Sequence, residues 1–537
     1  MRSSLGLIAC LTACGSDASQ PPIVPIQSGT LITVDDGQLQ GAVDGASRRF
    51  LGIPFAKPPV GTLRWRAPVK NDPWTGVRDA TQFGGRCAQH MSIQAAASED
   101  EDCLYLNVWV PEPAPNQALP VMLWFHGGGN SAGSASDNAP LGVGGLFYDG
   151  KTLAGQLGVV VVTTNYRLGP LGFFYHPALA AEGSPQGNQG LLDQRAAMEW
   201  VRDNIAPFGG DPTNVTIFGE SAGSFDVCFH IASPGSAGLF HRAISESGGC
   251  TTRLATRTSA AAGAAAFVDA MGCASAADPL ACLRGKSVAD LLTDAPIDGG
   301  PAAELPGGAA YQGGTPRWSF DPIVDGTILP DQPRTSFDAG QVSKVPYILG
   351  SNTDEGTLFH FLSTPVANEE EYRAALGRRF GPDLVDAIVA HYPVASFASA
   401  DAALQRVTGD FGLVCPTHDS ARRAAAAGMP VHMYNFDYPI PIPGLQFLGA
   451  AHGAEIPFVF DSIDADVQAT LGAAMRGYWT RLARTGDPNG DGAVGWPAFS
   501  ASSDMRMNLA PSLAVVAGFR ADECAFWRTV YDAELAQ

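Results

Sequence analysis

Ser221 stands in the run Gly219-Glu220-Ser221-Ala222-Gly223, and its surroundings have the local order that a serine needs to become a nucleophile. Val215, Ile217 and Phe218 before it are strand formers, and the residues from Ala222 through Val227 to Ala232 tolerate a helix. The spacing therefore predicts strand, serine turn, helix. Glycines at 219 and 223 let the helix pack close behind a strained turn that holds the hydroxyl above the sheet edge. The Ala222 N–H then opens the helix and is aimed at an oxyanion developing on an attacked carbonyl. A second run, Gly129-Asn130-Ser131-Ala132-Gly133, has the same pattern, but no helix comes directly after it and it is expected to be a Gly/Ser-rich loop.

A serine hydroxyl is unreactive at neutral pH until an imidazole takes its proton, and that imidazole needs a carboxylate to hold its tautomer and stabilise its charge. Downstream of Ser221 the acid could be Asp354 or Glu355, and the histidine could be His360, His391, His418, His432 or His452. His452 alone follows a strand and a loop and has small neighbours that leave its ring accessible. Upstream, a wholly apolar run over 121–125 delivers His126-Gly127-Gly128-Gly129. Consecutive glycines there let backbone N–H groups turn inward, to about 3 Å from an oxyanion.

These side chains require strands that end on a common edge. Residues 30–34 and 38–43 read as a hairpin around Asp35-Asp36-Gly37, and 49–74 as Pro-rich, aromatic, irregular chain. Residues 104–110 alternate as a strand; 159–164 form a continuous apolar strand leading to Asn165-Tyr166-Arg167 and a helix over 191–205. Beyond the serine turn, residues 255–316 shift to Ala, Gly and Pro with a helical patch at 260–271, and read as an insertion over the active site. The next strands are expected at 345–349, ending in Gly350-Ser351-Asn352-Thr353-Asp354-Glu355-Gly356, and at 431–438, ahead of His452. Alternating strands and helices imply an α/β fold with a mainly parallel sheet covered on both faces, whose sites lie at the carboxyl ends of strands.

The 537 residues show neither a linker-like break in the middle nor a repeat of solenoid period, so one large catalytic domain is expected over 28–537. Hydrophobic content of 45% suffices for a sizeable core. A formal net charge of −20 argues against nucleic acid or an anionic membrane surface as partner. At the front, Arg2, a short apolar run and Leu11-Thr12-Ala13-Cys14 resemble a bacterial lipoprotein signal over 1–13, with Cys14 lipidated after cleavage and 14–27 a Ser/Pro/Gln-rich tether. A plain secretory signal or a mis-set start codon is the alternative. An exported chain is expected in either of the first two readings, with membrane contact only through that anchor. Setting aside Cys10 and Cys14 leaves eight cysteines, an even number that suggests disulfides in such a chain, but spacing cannot choose among 105 connectivities. Asp487-Pro488-Asn489-Gly490-Asp491-Gly492 mimics the start of a calcium loop; its twelfth position is Ala498, which has no carboxylate, so a polar turn and no metal are expected.

Several motifs together carry a family resemblance. Gly219 to Gly223, Glu101-Asp102-Cys103-Leu104-Tyr105-Leu106-Asn107-Val108, Asn188-Gln189-Gly190-Leu191-Leu192-Asp193-Gln194, Asp354-Glu355-Gly356 and His452-Gly453-Ala454-Glu455-Ile456-Pro457-Phe458 resemble the type-B carboxylesterase/cholinesterase family. The resemblance runs from about Gly29 to Trp527. It implies an α/β-hydrolase fold: a large, mostly parallel central sheet flanked by helices, with an N-terminal β-hairpin and insertions forming the active-site gorge. It implies ester hydrolysis without cofactor, with Ser221 as nucleophile, Glu355 as acid, His452 as base, and Gly128, Gly129 and Ala222 as oxyanion donors. Glu220, Ser247 and Glu455 match positions that support these groups from behind. The family's disulfides carry over onto Cys87 with Cys103, Cys273 with Cys282 and Cys415 with Cys524, leaving Cys228 and Cys250 as a fourth pair.

The departures bear on substrate. The loop between Cys87 and Cys103 holds no tryptophan, which cholinesterases use there to bind a quaternary ammonium, and Leu358 replaces an aromatic near that site. Trp318 and Phe359 fall where the family builds its acyl pocket, and Pro316 replaces a bulky aromatic, which predicts a wider pocket at that end. The resemblance thus implies a hydrolase of neutral small-molecule esters. A non-catalytic binding or adhesion protein on the same fold and a specialised lipase or amidase are the alternatives. Oligomeric state is not legible in the sequence.

Overall fold

The computed structural model describes residues 25–92, 95–138, 146–183, 187–293, 320–361, 364–462 and 466–535. Its frame is an eleven-stranded sheet. From one edge to the other the strands are Ala514–Ala517, Met505–Leu509, Val431–Phe436, Tyr347–Asn352, Arg242–Glu246, Gly210–Glu220, Leu119–Phe125, Val160–Thr164, Tyr105–Pro111, Ser47–Pro54 and Ala42–Asp44. The run from Met505–Leu509 to Val160–Thr164 is parallel throughout, and the antiparallel pairs lie at the two ends.

The central strands are apolar on both sides because both faces are covered. On Leu119–Phe125, Val121, Leu123 and Phe125 enter one core with Met198 and Val201 of helix Gln189–Asn204 and Val227 and Ile231 of helix Ala222–Ala232. Met122 and Trp124 enter the opposite core with Met475, Trp479 and Leu482 of helix Leu471–Thr485. Period-two alternation thus feeds two helical layers from one strand. A third cluster joins helices Glu369–Phe380, Ala400–Gly409 and Ala521–Leu535 around Trp527.

Several expectations shift. The N-terminal hairpin is present as Leu31–Val34 against Gly37–Gln40, but with Val77–Asp79 it forms a separate three-stranded sheet. The chain expected to extend that hairpin turns away at Gly41, and Ala42–Asp44 joins the edge of the main sheet. Tyr105–Pro111 is buried along its middle instead of alternating, since strands flank it on both sides. The strand after the serine turn is not the one expected at 345–349 but Arg242–Glu246, whose polar ends hide an almost fully buried segment from a hydrophobicity reading. After the short strand Ala255–Thr256 the described part of the expected insertion is mainly helical, and Phe267 and Leu283 pack with Trp65 and Phe174. Its remainder lies outside the described residues, as do Cys14, Pro316 and Trp318. The eight cysteines that remain when Cys10 and Cys14 are set aside all pair: Cys87 with Cys103, Cys228 with Cys250, Cys273 with Cys282 and Cys415 with Cys524. Asp487 caps a polar turn in which Asn489 hydrogen-bonds the backbone of Trp496 in both directions.

Candidate active site

Strand Gly210–Glu220 ends in Ser221 and continues at once as helix Ala222–Ala232. Ser221 has φ +55° and ψ −122°, a conformation that costs a non-glycine residue about 1–3 kcal/mol. The surroundings enforce it: a Cβ on Gly223 would lie 2.1 Å from the Phe125 carbonyl oxygen, and one on Gly219 would meet Gly223 at 2.6 Å. Both glycines are therefore needed for strand and helix to close on the turn, as the sequence pattern requires.

Parallel pairing brings the other groups to the same edge. Phe125 pairs with Gly219, so the glycine run after Phe125 emerges beside Ser221. Tyr347–Asn352 leads to Glu355, and its neighbour Val431–Phe436 leads, through a loop, to His452. Ser221 Oγ lies 2.8 Å from His452 Nε2, and His452 Nδ1 lies 2.7 Å from Glu355 Oε2. In the neutral imidazole Nδ1–H donates to Glu355 and Nε2 accepts the serine proton. The second Glu355 oxygen accepts the Asn352 N–H at 2.7 Å, which fixes the carboxylate plane.

Between the two acids the choice is clear in space. Asp354 points the other way, accepting the Ala450 N–H at 3.1 Å and pairing with Arg406 at 3.4 Å, so it anchors the loop that carries His452. Of the other histidines, His360 bonds Thr408, His391 the Ala387 carbonyl and His418 Asp504, while His432 stands edge-on to Trp496.

The glycine loop is held by bonds from its later N–H groups. Among the described residues, Gly128 and Gly129 donate to no oxygen, while Ser131 and Ala132 both donate back to the Gly128 carbonyl. Gly128 has φ +107°, and a Cβ there would sit 2.1 Å from the Ala132 carbonyl oxygen. Ala222 is the first residue of its helix, so its N–H has no partner within the helix. The loop is pinned along its length: Tyr166 Oη donates to the His126 carbonyl, Gly169 N–H to that of Asn130, and the Gln89 side chain grips both N–H and carbonyl of Gly133. Gln89 carries no motif of its own in the sequence; its place two residues beyond Cys87 is the available signal. Tyr166 belongs to the Asn165-Tyr166-Arg167 run at a strand's carboxyl end.

Behind the histidine lies a set of buried carboxyls. Glu220 Oε1 is 3.2 Å from His452 Nε2, and Glu455 bonds Ser247 and the Asn352 amide. Glu220 and Glu455 thus lie near the imidazole or its supports, with Ser247 against Glu455. Sequence reasoning misses Glu246, which accepts the Trp479 indole N–H at 2.8 Å. Burial raises the pKa of Glu220 to about 8 and of Glu455 to about 7, and lifts Glu246 well above its usual range, with the neighbouring carboxylates adding to each. For His452 burial opposes the cation, but Glu220 and Glu355 outweigh it and push the pKa up to about 9. These groups share protons near neutrality, and a proton held by Glu220 leaves the imidazole free to act as base.

Phe359 lies against the imidazole, with ring centroids 5.0 Å apart, and packs on a cluster containing Phe225, Phe229, Leu254 and Leu413. Arg64 makes a bidentate pair with Glu101 beside the Cys87–Cys103 bridge, at 2.7 and 2.6 Å.

Residues 24–527 match the model of the carboxylesterase family. The chain is 33% identical to the acetylcholinesterase of Bungarus fasciatus, over 97% of this chain and 89% of that protein. It is 36% identical to the para-nitrobenzyl esterase of Bacillus subtilis (strain 168), over 87% and 92%. It is 38% identical to the fumonisin B1 esterase of Sphingopyxis macrogoltabida, over 86% and 83%.

Proposed function

The chain belongs to the carboxylesterase family, and we propose how this serine ester hydrolase divides its chemistry: Ser221 is the nucleophile, His452 the base, Glu355 the carboxylate that orients it, and Gly128, Gly129 and Ala222 the oxyanion donors. The observation that carries this assignment is the line from Ser221 Oγ through His452 to Glu355, at 2.8 and 2.7 Å. His452 Nε2 takes the Ser221 proton as Oγ attacks the ester carbonyl, and the carbonyl oxygen gains its negative charge against the three N–H groups. The imidazolium, held at Nδ1 by Glu355, gives the proton to the departing alcohol, leaving an acyl-serine. Water then enters, His452 takes its proton as the water oxygen attacks the acyl carbonyl, and the imidazolium returns that proton to Ser221 Oγ as the acid leaves.

The substrates we propose are neutral small-molecule esters whose acyl group lies against Phe359 and the apolar cluster behind it. The absence of tryptophan between Cys87 and Cys103, and Leu358 in place of an aromatic, support esters other than those of choline. The test is hydrolysis of a p-nitrophenyl ester series from acetate to octanoate. Wild-type enzyme turns the series over, and Phe359→Ala moves the optimum to longer chains. An unchanged profile in Phe359→Ala would count against this acyl pocket.

Export completes the proposal, with residues 1–13 as signal and Cys14 lipidated. Four disulfides support an oxidising compartment, and among the described residues no helix is long and apolar enough to cross a membrane. Cells fed a palmitate analogue should label the wild-type chain and not Cys14→Ser; equal labelling would contradict lipidation at this cysteine.

A further inference from the structure

We propose that Asp226, on the helix that begins after Ser221, is a positioning residue that ties the two halves of the oxyanion hole together through Asn130. The inference rests on the proposed role of Gly128, Gly129 and Ala222 as donors. Those donors come from two separate elements, the glycine loop and the start of helix Ala222–Ala232. A site that stabilises developing charge must keep such donors within about 0.5 Å of their productive positions, so something must hold loop and helix in register.

Asn130 comes directly after Gly129 and is buried with φ +54°. Its carbonyl accepts the Gly169 N–H at 2.7 Å, and its Nδ2 donates to Asp226 Oδ1 at 3.3 Å. Asp226 lies just over one turn along the helix that Ala222 begins. The Asn130–Asp226 hydrogen bond therefore links the residue after one donor to the element that carries another.

Asp226 is held in turn from the far side. Gln194 Nε2 donates to its other oxygen at 2.6 Å, Gln194 Oε1 meets His230 Nε2 at 2.9 Å, and His230 Nδ1 meets Ser236 Oγ at 2.9 Å. Burial pushes His230 down to about 3, so it is neutral. With the Gln194 amide turned to Asp226, the imidazole proton sits on Nε2 and donates to Gln194, and Ser236 donates to Nδ1. Every donor in the chain points toward Asp226, which suits a carboxylate at its end. The carboxyl is fully enclosed and its partners are amides, not cations; burial pushes its pKa up to about 7. A fold retains so costly a group where the geometry it enforces is needed.

The test compares wild type, Asp226→Ala, Asp226→Asn, Asn130→Gly and the Asp226→Ala/Asn130→Gly double variant. Each is measured for p-nitrophenyl butyrate hydrolysis and for inhibition by an aliphatic trifluoromethyl ketone, which forms a hemiketal oxyanion on a nucleophilic serine. Asp226→Ala should lower kcat about tenfold with KM within about twofold, and ketone affinity should fall by the same factor. Asp226→Asn, which keeps one acceptor, should lie between, and Asp226→Ala should add nothing on the Asn130→Gly background. Unchanged ketone affinity in the Asp226 variants, or losses that accumulate in the double variant, would overturn the proposal. If Asp226→Ala does not fold, Asn130→Gly must still lose kcat and ketone affinity together, since glycine keeps the left-handed backbone and removes only the amide. A wild-type enzyme that neither hydrolyses the ester nor binds the ketone would remove the oxyanion reading, and this proposal with it.

Discussion

Two turns in this chain have the pattern Gly-x-Ser-x-Gly, and they flank the same site with opposite roles. At Gly219 to Gly223 the serine is buried, its backbone is forced to φ +55°, and its hydroxyl meets an imidazole. At Gly129 to Gly133 the serine is exposed and its hydroxyl turns back to the Gly128 carbonyl at 3.2 Å. The difference comes from the chain beyond each turn. A helix packed directly behind the first leaves the side chain one direction, outward over the sheet edge. The second runs into irregular chain gripped by Gln89 and Asn165, and its contribution is free backbone N–H groups. The same five-residue pattern thus supplies a side chain in one context and backbone in the other.

The sharpest way to break that contrast is to remove each serine. Ser221→Ala should lower kcat by on the order of 10⁴-fold or more while the protein stays folded, as steady-state ester hydrolysis will show; retention of a tenth of the activity would end its assignment as nucleophile. Gly128→Ala should rank second, with kcat down by about 10²–10³-fold, because a Cβ 2.1 Å from the Ala132 carbonyl must turn the N–H out of position. The loss should fall on kcat and spare KM. Next comes the segment that carries Gln89: Cys87→Ser with Cys103→Ser should cost about 3 kcal/mol of unfolding free energy in urea, and a change below about 1 kcal/mol would mean the bridge adds little to the stability of the fold.

Glu220→Gln tests the charge behind the imidazole. Ionised Glu220 favours the His452 cation, and the base must be neutral to act, so removing the charge lowers the histidine pKa. The acidic limb of the kcat/KM profile should therefore move to lower pH by about one unit; movement to higher pH would reverse the sign of the account. Ser131→Ala is the smallest change, with kcat/KM expected within about twofold of wild type.

How much of this site the sequence discloses depends on the range of the interactions. The turn around Ser221 is legible because strand, glycines and helix are neighbours in the chain. His452 lies 231 residues beyond Ser221 and is separable from four other histidines only through strand-end order and the family resemblance. Asp354 and Glu355 cannot be told apart by spacing, since which one faces the imidazole depends on Ala450 and Arg406 claiming the other. Strand Arg242–Glu246 escapes because Arg242, Ser245 and Glu246 interrupt its apolar character, although the sheet encloses it. Asp226 and Gln194 draw no attention as a pair because nothing local links two polar residues on different helices.

The central claim is tested most directly by finding where a reactive organophosphate attaches. Enzyme inactivated with a fluorophosphonate, digested and analysed by mass spectrometry should carry one label per chain, on Ser221, with hydrolysis lost in proportion to labelling. Inactivation with the label on Ser131 or another residue, or full turnover by enzyme labelled at Ser221, would contradict it.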